Sequence, residues 1–173
     1  MTSAPFRFET LSEAHDRTVF RSGEDALDRY FHTQVTQDVR RHIANCFVLV
    51  EVSSGAVAAY YTLSAASIPL IDLPVEETKR LPRYPTMPAV RIGRLAVHQR
   101  FQGGGLGALL LMNAVDRTLQ DAAAAFALLV DAKNDNAVKF YQRYGFQCLA
   151  GRPRTLFLAL ATARKTLLRD RSH

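Results

Sequence analysis

The reading turns on Arg100–Leu111, "RFQGGGLGALLL". Three glycines run together, a fourth follows after one leucine, and a leucine-rich stretch begins at once. Just upstream, "AVRIGRLAV" (89–97) reads as a strand. Strand, glycine-rich turn and helix in that order form a layout for anion capture. The first N–H groups of a helix have no internal partner, and the helix dipole favours negative charge there. Glycines let the backbone come close to a ligand and adopt positive φ. The first expectation is therefore a phosphate or pyrophosphate site at Gln102–Gly107.

Three phosphate-binding designs compete, beside a bare tight turn. A P-loop ends in Gly-Lys-Ser/Thr, but Gly107 is followed by Ala108 and Leu109. The dinucleotide fingerprint can be forced onto Gly103, Gly105 and Ala108. However, "HQRFQ" separates these glycines from the strand, and too little chain follows for a second mononucleotide half. A turn alone needs fewer glycines than this loop spends. The third design, [Gln/Arg]-x-x-Gly-x-[Gly/Ala], is matched throughout by Gln102-Gly103-Gly104-Gly105-Leu106-Gly107.

The totals bound the rest. A chain of 173 residues fits one domain, 1–173, with a sizeable core. With 48% hydrophobic and 22% charged residues, the balance is that of an ordinary globular protein, not a disordered or fibrous one. A net charge of +6 suits a polyanionic partner, and equally a solvated basic surface. Cys46 and Cys148 lie far apart in apolar runs, with neither disulfide-framework nor metal-site spacing. They read as buried small hydrophobes in a reducing compartment. No metal is expected. "MTSAPFRFET" lacks the apolar core of a secretory signal, and no apolar stretch is long enough for a membrane span. The expectation is a cytoplasmic protein with no membrane partner.

Along the chain, "FRFETL" alternates like a first strand, and 23–42 carries apolar residues at helical spacing. Residues 46–68 read as a hairpin turning at Ser54-Gly55. The proline-rich 69–90 reads as a long connection with room for a short helix near "VEETKRL". The helix 105–124 follows the glycine loop. "FALLVDA" is a strand apolar on both faces. "NAVKFYQRYG" is a helix stopped by Gly145 as its C′ residue. "FQCLA" and "RTLFLAL" close the sheet, and 161–173 reads as a basic tail liable to fray. The expected fold class is α/β, a mixed sheet with helices on its faces.

The whole of "RLAVHQRFQGGGLGALLL" resembles the acetyl-CoA pyrophosphate motif of the GNAT N-acetyltransferase superfamily. "LLVDAKNDNAVKFYQRYGF" resembles that family's second motif, through Asn134, Ala137, Phe140, Tyr141, Gly145 and Phe146. The resemblance implies a central mixed sheet splayed open between two parallel strands, "RLAV" and "LLVDA". It implies acetyl-CoA as cofactor. A pantetheine arm is an extended amide chain and can add to the open edge like a strand. On this reading the backbone of Leu95, Ala96 and Val97 takes pantetheine, and the amides of Gln102, Gly103, Gly104, Gly105, Leu106 and Gly107 take the pyrophosphate. Asn134 and Tyr141 complete the cofactor site. Arg100 either assists the phosphates or is a solvated loop arginine.

Acetyl transfer to an amine needs a neutral amine, a stabilised oxyanion and a proton for the departing thiolate. The resemblance assigns the oxyanion to the N–H of Val97 and the proton to Tyr141. Ala137, Phe140, Tyr141 and Tyr144 also share one helical face, so core packing competes for Tyr141. A tyrosine at about 10 and a thiol at about 8.5 imply that Tyr141 is tuned or acts by hydrogen-bonding the sulfur. No carboxylate lies in "RIGRLAV" to act as a base. An ε-amine, at about 10.4, would need one; an α-amine, at about 7.7–8.0, would not.

"VFRSGEDALDRYF", with Phe20, Gly23, Leu27, Asp28 and Phe31, resembles the N-terminal signature of the GNAT toxins of bacterial toxin–antitoxin pairs. That resemblance implies acetylation of the α-amine on charged tRNA, which blocks translation. It implies an antitoxin of ribbon-helix-helix type, operator DNA bound only through that antitoxin, and a homodimer. A tRNA acceptor arm needs a basic track, which Lys79, Arg80, Arg83, Arg91 and Arg94 could supply, with Arg152 and Arg154 later. Tyr84 or Phe101 could stack the single-stranded end. The rival substrates are a small amine or a protein N-terminus. The rival class is a catalytically idle basic module that binds CoA or nucleic acid.

Overall fold

The computed structural model describes residues 5–170. Two compact units make up the chain. The first holds the residues up to Ser64 together with Gly93–Ala114; the second holds Ala65–Ile92 together with the residues from Val115 on. Among the described residues, hydrogen bonding orders the strands β1-β2-β3-β4-β5-β7-β6 in one mixed sheet.

In the first unit, β1 (Phe6–Thr10) pairs antiparallel with β2 (Asn45–Glu51), and β2 with β3 (Val57–Pro69). The expected hairpin is thus present, with a register shift at Leu49/Val50. Its core is aromatic. Phe31 stacks on Tyr60 with ring centroids 4.2 Å apart, and Phe20 meets both rings edge-on. Phe20, Phe31, Val35 and Tyr60 are all buried.

The helix expected over 23–42 divides into α1 (Asp25–Thr33) and α2 (Val35–Arg40). The break falls where Thr33 donates its hydroxyl to the carbonyl of Arg29 at 2.7 Å. Side-chain bonds of this kind compete with the helical ladder, and Gln34, at the junction of the two helices, has φ widened to −115° while its N–H still donates to the Tyr30 carbonyl. Burial of both Phe31 and Val35 on the same core rewards the bend.

In the second unit, the proline-rich connection contains a 3-10 turn at Leu70–Asp72 and α3 (Val75–Thr78). It is shorter than the sequence suggests, because β4 (Thr86–Val97) begins ahead of Pro88. Proline lacks an N–H to give a ladder, but its carbonyl still accepts from Phe126 N–H at 2.8 Å. β4 runs parallel to β5 (Ala127–Asp131), whose residues Ala127–Val130 are buried as expected. β7 (Arg152–Ala159) pairs antiparallel with β5 and with β6 (Gln147–Leu149).

Helix α4 (Leu106–Gln120) is shorter at both ends than the sequence suggests, and α5 (Asp135–Arg143) falls where expected. The C-terminal segment forms a further helix, α6 (Leu160–Asp170), where the sequence reads as a basic tail; 171–173 lie outside the described residues. Both cysteines are free. Cys46 is buried, and burial pushes its thiol up to about 12. Cys148 is only half-buried and donates its Sγ–H to the carbonyl of Pro153 at 3.3 Å.

Candidate active site

The parallel ladder between β4 and β5 spans Ala89–Ile92 and Ala127–Val130 and then stops. β4 itself runs on to Val97. The amides of Arg94 and His98 point toward β3, donating to Thr62 Oγ1 at 3.0 Å and to the Ala58 carbonyl at 2.8 Å. Strand amides alternate in direction. Leu95 N–H and Val97 N–H therefore face the opposite edge, past the end of the ladder. Ala96, between the two open-edge amides, and Gly93, two residues before Leu95, are held from the other side. Ala96 is buried in the first unit's core. Gly93, which the sequence did not single out, lies so close to β3 that a Cβ there would stand 3.0 Å from Thr62 Oγ1.

After β4 the chain makes a 3-10 turn at Gln99–Phe101 and enters the glycine loop. Gly103 and Gly105 have φ of +85° and +81°, a region that L side chains rarely adopt. Gly104 does not. A Cβ added at Gly103 or Gly105 would meet nothing, so open space lies over the turn. Among the described residues, no acceptor stands on the amides from Gly103 to Ala108. The first later amide to find one is Leu109 N–H, which donates to the Gly105 carbonyl at 3.2 Å. The loop and first turn of α4 thus present a run of free donors backed by the helix dipole.

Gln102 has a different part from the one expected. Its backbone N–H already donates to the Gln99 carbonyl. Its side-chain Nε2 donates to the carbonyls of Val97 at 2.9 Å and Ser22 at 2.7 Å. It therefore braces the turn from behind and offers no free amide to a ligand. Arg100 is exposed, with its guanidinium 5.2 Å from the Phe101 ring centre.

In the second unit, Asn134 is the N-cap of α5, its Oδ1 accepting from Ala137 N–H at 2.9 Å. That leaves its Nδ2 as the part able to serve a ligand. Tyr141 lies at the other end of the same helix. Its ring is 8% exposed and packs against Phe140 and Phe146 at 5.2 and 5.5 Å. The packing expected of Tyr141 is seen for its ring. The ring is core. Among the described residues the hydroxyl has no hydrogen-bond partner, yet no buried side-chain polar atom is left unsatisfied, so the hydroxyl reaches solvent. Burial pushes the phenol up to about 12. Tyr144, on the same face, is 37% exposed and packs on Phe140 at 5.2 Å.

The helix end positions that ring. Gly145 N–H donates to the Gln142 carbonyl and Phe146 N–H to the Tyr141 carbonyl. These two bonds and the Tyr141–Phe146 contact form a Schellman cap, which needs the +93° φ of Gly145. Tyr141 is thus held by its own helix terminus.

The basic residues divide. Lys79, Arg80 and Arg83 are exposed, and Lys79 pairs with Glu76 at 3.2 Å. Tyr84, beside them, is 63% exposed. Arg152 approaches Asp72 at 3.7 Å, and Ala150 N–H donates to the Asp72 carbonyl. The β6–β7 turn is thereby tied to the connection that carries Lys79, Arg80 and Arg83. Arg91 is ion-paired with Asp131, and Arg154 approaches Asp135 at 3.5 Å. Arg94, in the first unit, lies over the Tyr30 ring, 3.7 Å from its centre. Phe101 is half-buried against Phe6 and His98. Of the two stacking candidates, only Tyr84 offers a free face. Among the described residues no cluster of His, Cys, Asp or Glu could hold a metal, and no helix is long and apolar enough to cross a membrane.

Residues 81–155 match the model of the acetyltransferase (GNAT) domain. A tRNA-acetylating toxin of Mycobacterium tuberculosis (strain ATCC 25618 / H37Rv) is 34% identical over 164 residues, covering 94% of this chain and 95% of the relative. A probable toxin TacT of Sinorhizobium fredii (strain NBRC 101917 / NGR234) is 28% identical, covering 88% and 90%. Among solved structures, AtaT complexed with acetyl-methionyl-tRNAfMet superposes with a TM-score of 0.85 at 29% identity, covering 94% of this chain and 99% of that one. AtaTR bound with AcCoA gives 0.80 at 28%, covering 94% and 98%. A tyrosine-to-phenylalanine variant of AtaT bound to the C-terminus of the antitoxin AtaR gives 0.78 at 26%, with the same coverage.

The cap at the end of α5 is open to a direct check. Gly145→Ala keeps an ordinary 3.5 Å contact with Leu158 but forces an L residue to positive φ. It is expected to cost about 1 kcal/mol in urea unfolding. An unchanged midpoint would show that the cap does not hold Tyr141.

Proposed function

The chain belongs to the GNAT acetyltransferase family, in the branch of the tRNA-acetylating toxins, and we propose that it acetylates the α-amine of an aminoacyl-tRNA and so blocks translation. Residues 1–173 work as one acetyltransferase domain. The observation that carries this reading is the run of acceptor-free amides from Gly103 to Ala108, directly after a strand whose Leu95 and Val97 amides face an open edge.

Acetyl-CoA supplies the acetyl group as an activated thioester. The amides of Gly103, Gly104, Gly105, Leu106 and Gly107 would hold its pyrophosphate, and the backbone of Leu95, Ala96 and Val97 its pantetheine arm. Gln102 serves the cofactor by bracing this turn, and Asn134 through its free Nδ2. Val97 N–H stabilises the oxyanion. Replacing Gly105 by valine fills the open space above the turn and is expected to weaken CoA binding in calorimetry. Unchanged affinity would remove the pyrophosphate assignment.

Tyr141 provides the proton at the leaving sulfur. Its phenol, near 12, lies well above a free thiol at about 8.5, so full transfer is uphill by about 5 kcal/mol. The hydroxyl therefore acts by hydrogen-bonding the sulfur as charge develops, and transfers only as far as that charge demands. Because burial raises this phenol, it stays protonated as pH rises through the ordinary tyrosine value of about 10. Tyr141→Phe is expected to lower turnover far more than CoA affinity. In the unmutated chain, turnover is expected to show no alkaline loss from this group as pH passes about 10. Loss of CoA binding in the variant would overturn the acid assignment.

The acceptor follows from the strand. No carboxylate occurs from Arg91 to Val97, so no base is built in for an amine as basic as lysine. The α-amine of an aminoacyl ester does not need one. Exposed Lys79, Arg80 and Arg83 beside exposed Tyr84 fit a phosphate track with a stacking platform. Arg91 and Arg94 join it only by exchanging their present partners, Asp131 and the Tyr30 ring. The regulatory partner in this reading is an antitoxin of ribbon-helix-helix type, with operator DNA bound through it. The active species is a homodimer, working in the cytoplasm where charged tRNA is found.

The decisive test incubates the chain with radiolabelled acetyl-CoA and bulk charged tRNA, with deacylated tRNA as control, at low and moderate salt. Label is expected on charged tRNA only and should fall with salt. No label on either, with slow thioester hydrolysis persisting, would overturn the tRNA assignment in favour of a small amine or a peptide N-terminus.

A further inference from the structure

We infer that Asp28 is a positioning residue for the CoA-binding turn, acting through Ser22 and Gln102. The inference rests on the reading of the Gly103–Ala108 amides as the pyrophosphate cradle. Asp28 lies in the first turn of α1 and is 7% exposed. Its Oδ1 accepts two bonds from one residue, Ser22 N–H at 2.9 Å and Ser22 Oγ–H at 2.7 Å. Ser22 is itself 8% exposed. Its carbonyl in turn receives Gln102 Nε2, the same nitrogen that holds the Val97 carbonyl. A continuous chain of hydrogen bonds therefore runs from Asp28 through Ser22 and Gln102 to the end of β4.

The neighbouring bonds place this segment with little freedom. Gln99 N–H donates to the Arg21 carbonyl at 2.7 Å, and His98 Nε2 lies 3.2 Å from the Val19 carbonyl. Gly23 has φ +94°, and a Cβ there would stand 2.9 Å from Gln99 Nε2. The segment 19–23 thus meets 97–102 through its backbone carbonyls. Backbone carbonyls are aimed by backbone conformation, and the conformation at Ser22 is set by Asp28. Both Ser22 donors are buried, so removing their acceptor leaves two groups unsatisfied in a place closed to water. The segment must then shift to satisfy them, and Gln102 loses its aim. Asp28 makes no hydrogen bond to 102–107 among the described residues, which is why its part is positioning.

CoA binding to the purified full-length chain, by calorimetry alongside thermal unfolding, separates this from a merely structural role. Asp28→Ala is expected to bind CoA about ten-fold more weakly. Asp28→Asn, which keeps an Oδ1 acceptor, should recover most of that loss. Tyr30→Phe removes a different bond of the same helix, the hydroxyl to Asp38 at 2.9 Å; it should leave CoA affinity unchanged. Gln102→Ala should weaken binding less in the Asp28→Ala background than in the unmutated chain, since the two residues share the Ser22 link while Gln102 keeps its own bond to Val97. If Asp28→Ala does not fold, Ser22→Ala carries the same test, because it deletes one of the two donors. Wild-type affinity in the Asp28 or Ser22 variants, or an equal loss in Tyr30→Phe, would overturn the proposal. An unmutated chain that bound no CoA would overturn the cofactor reading beneath it as well.

Discussion

The ladder between β4 and β5 ends at Ile92 and Val130, while β4 continues to Val97, and much else depends on that early stop. A strand whose amides are all paired has nothing to offer a ligand. By leaving the ladder, β4 keeps one edge of backbone donors free at Leu95 and Val97 without losing its place in the sheet. Its other edge stays bonded to β3 through Arg94 and His98. An open edge is ordinarily a hazard, since it invites pairing with any extended chain. Here the segment is short and is followed at once by a tight turn, so the edge suits an extended arm that ends in a phosphate group.

Free backbone donors are useful only if they are held still. The glycines that open Gly103 and Gly105 to positive φ also make the turn loose, because glycine loses the most conformational freedom on ordering. The structure offsets this from behind. Gln102 ties two carbonyls together across the base of the turn, and the carbonyls of the 19–23 segment meet the Gln99 N–H and the side chains of His98 and Gln102. In the second unit the same task falls to a helix cap. The Schellman bonds of Gln142, Tyr141, Gly145 and Phe146 lock the ring of Tyr141 while its hydroxyl stays open to solvent. A side-chain brace fixes the geometry in the first unit and a backbone cap in the second, where the Tyr141 ring also packs against Phe140 and Phe146.

On the proposed reading, the electrostatics suit a neutral proton donor and an acceptor that needs no strong base. Burial raises the Tyr141 phenol, so it remains protonated but a reluctant acid. The strand beside the open edge carries arginines and no carboxylate. Two of these arginines are already spent, Arg91 on Asp131 and Arg94 on the Tyr30 ring. On the 75–84 connection Arg80 and Arg83 are exposed beside an exposed tyrosine, while Lys79 pairs with Glu76.

The local features of this chain were legible in its residues. Four glycines after a strand, the alternating hairpin, the apolar 127–130 strand and the glycine that stops α5 each rest on φ preference or side-chain period. Both act within a few neighbours. The helix expected over 23–42 divides in two at Gln34, next to the Thr33 hydroxyl bond to Arg29, a junction that pattern counting overlooks. What only the tertiary structure decided were partners distant in sequence. Gln102 turned out to bond Ser22 and Val97, Arg94 to sit on Tyr30, and Gly93 to press on Thr62. Nothing in the spacing of a sequence encodes which carbonyl a glutamine will find eighty residues away, because that choice belongs to packing, where chain separation carries no weight.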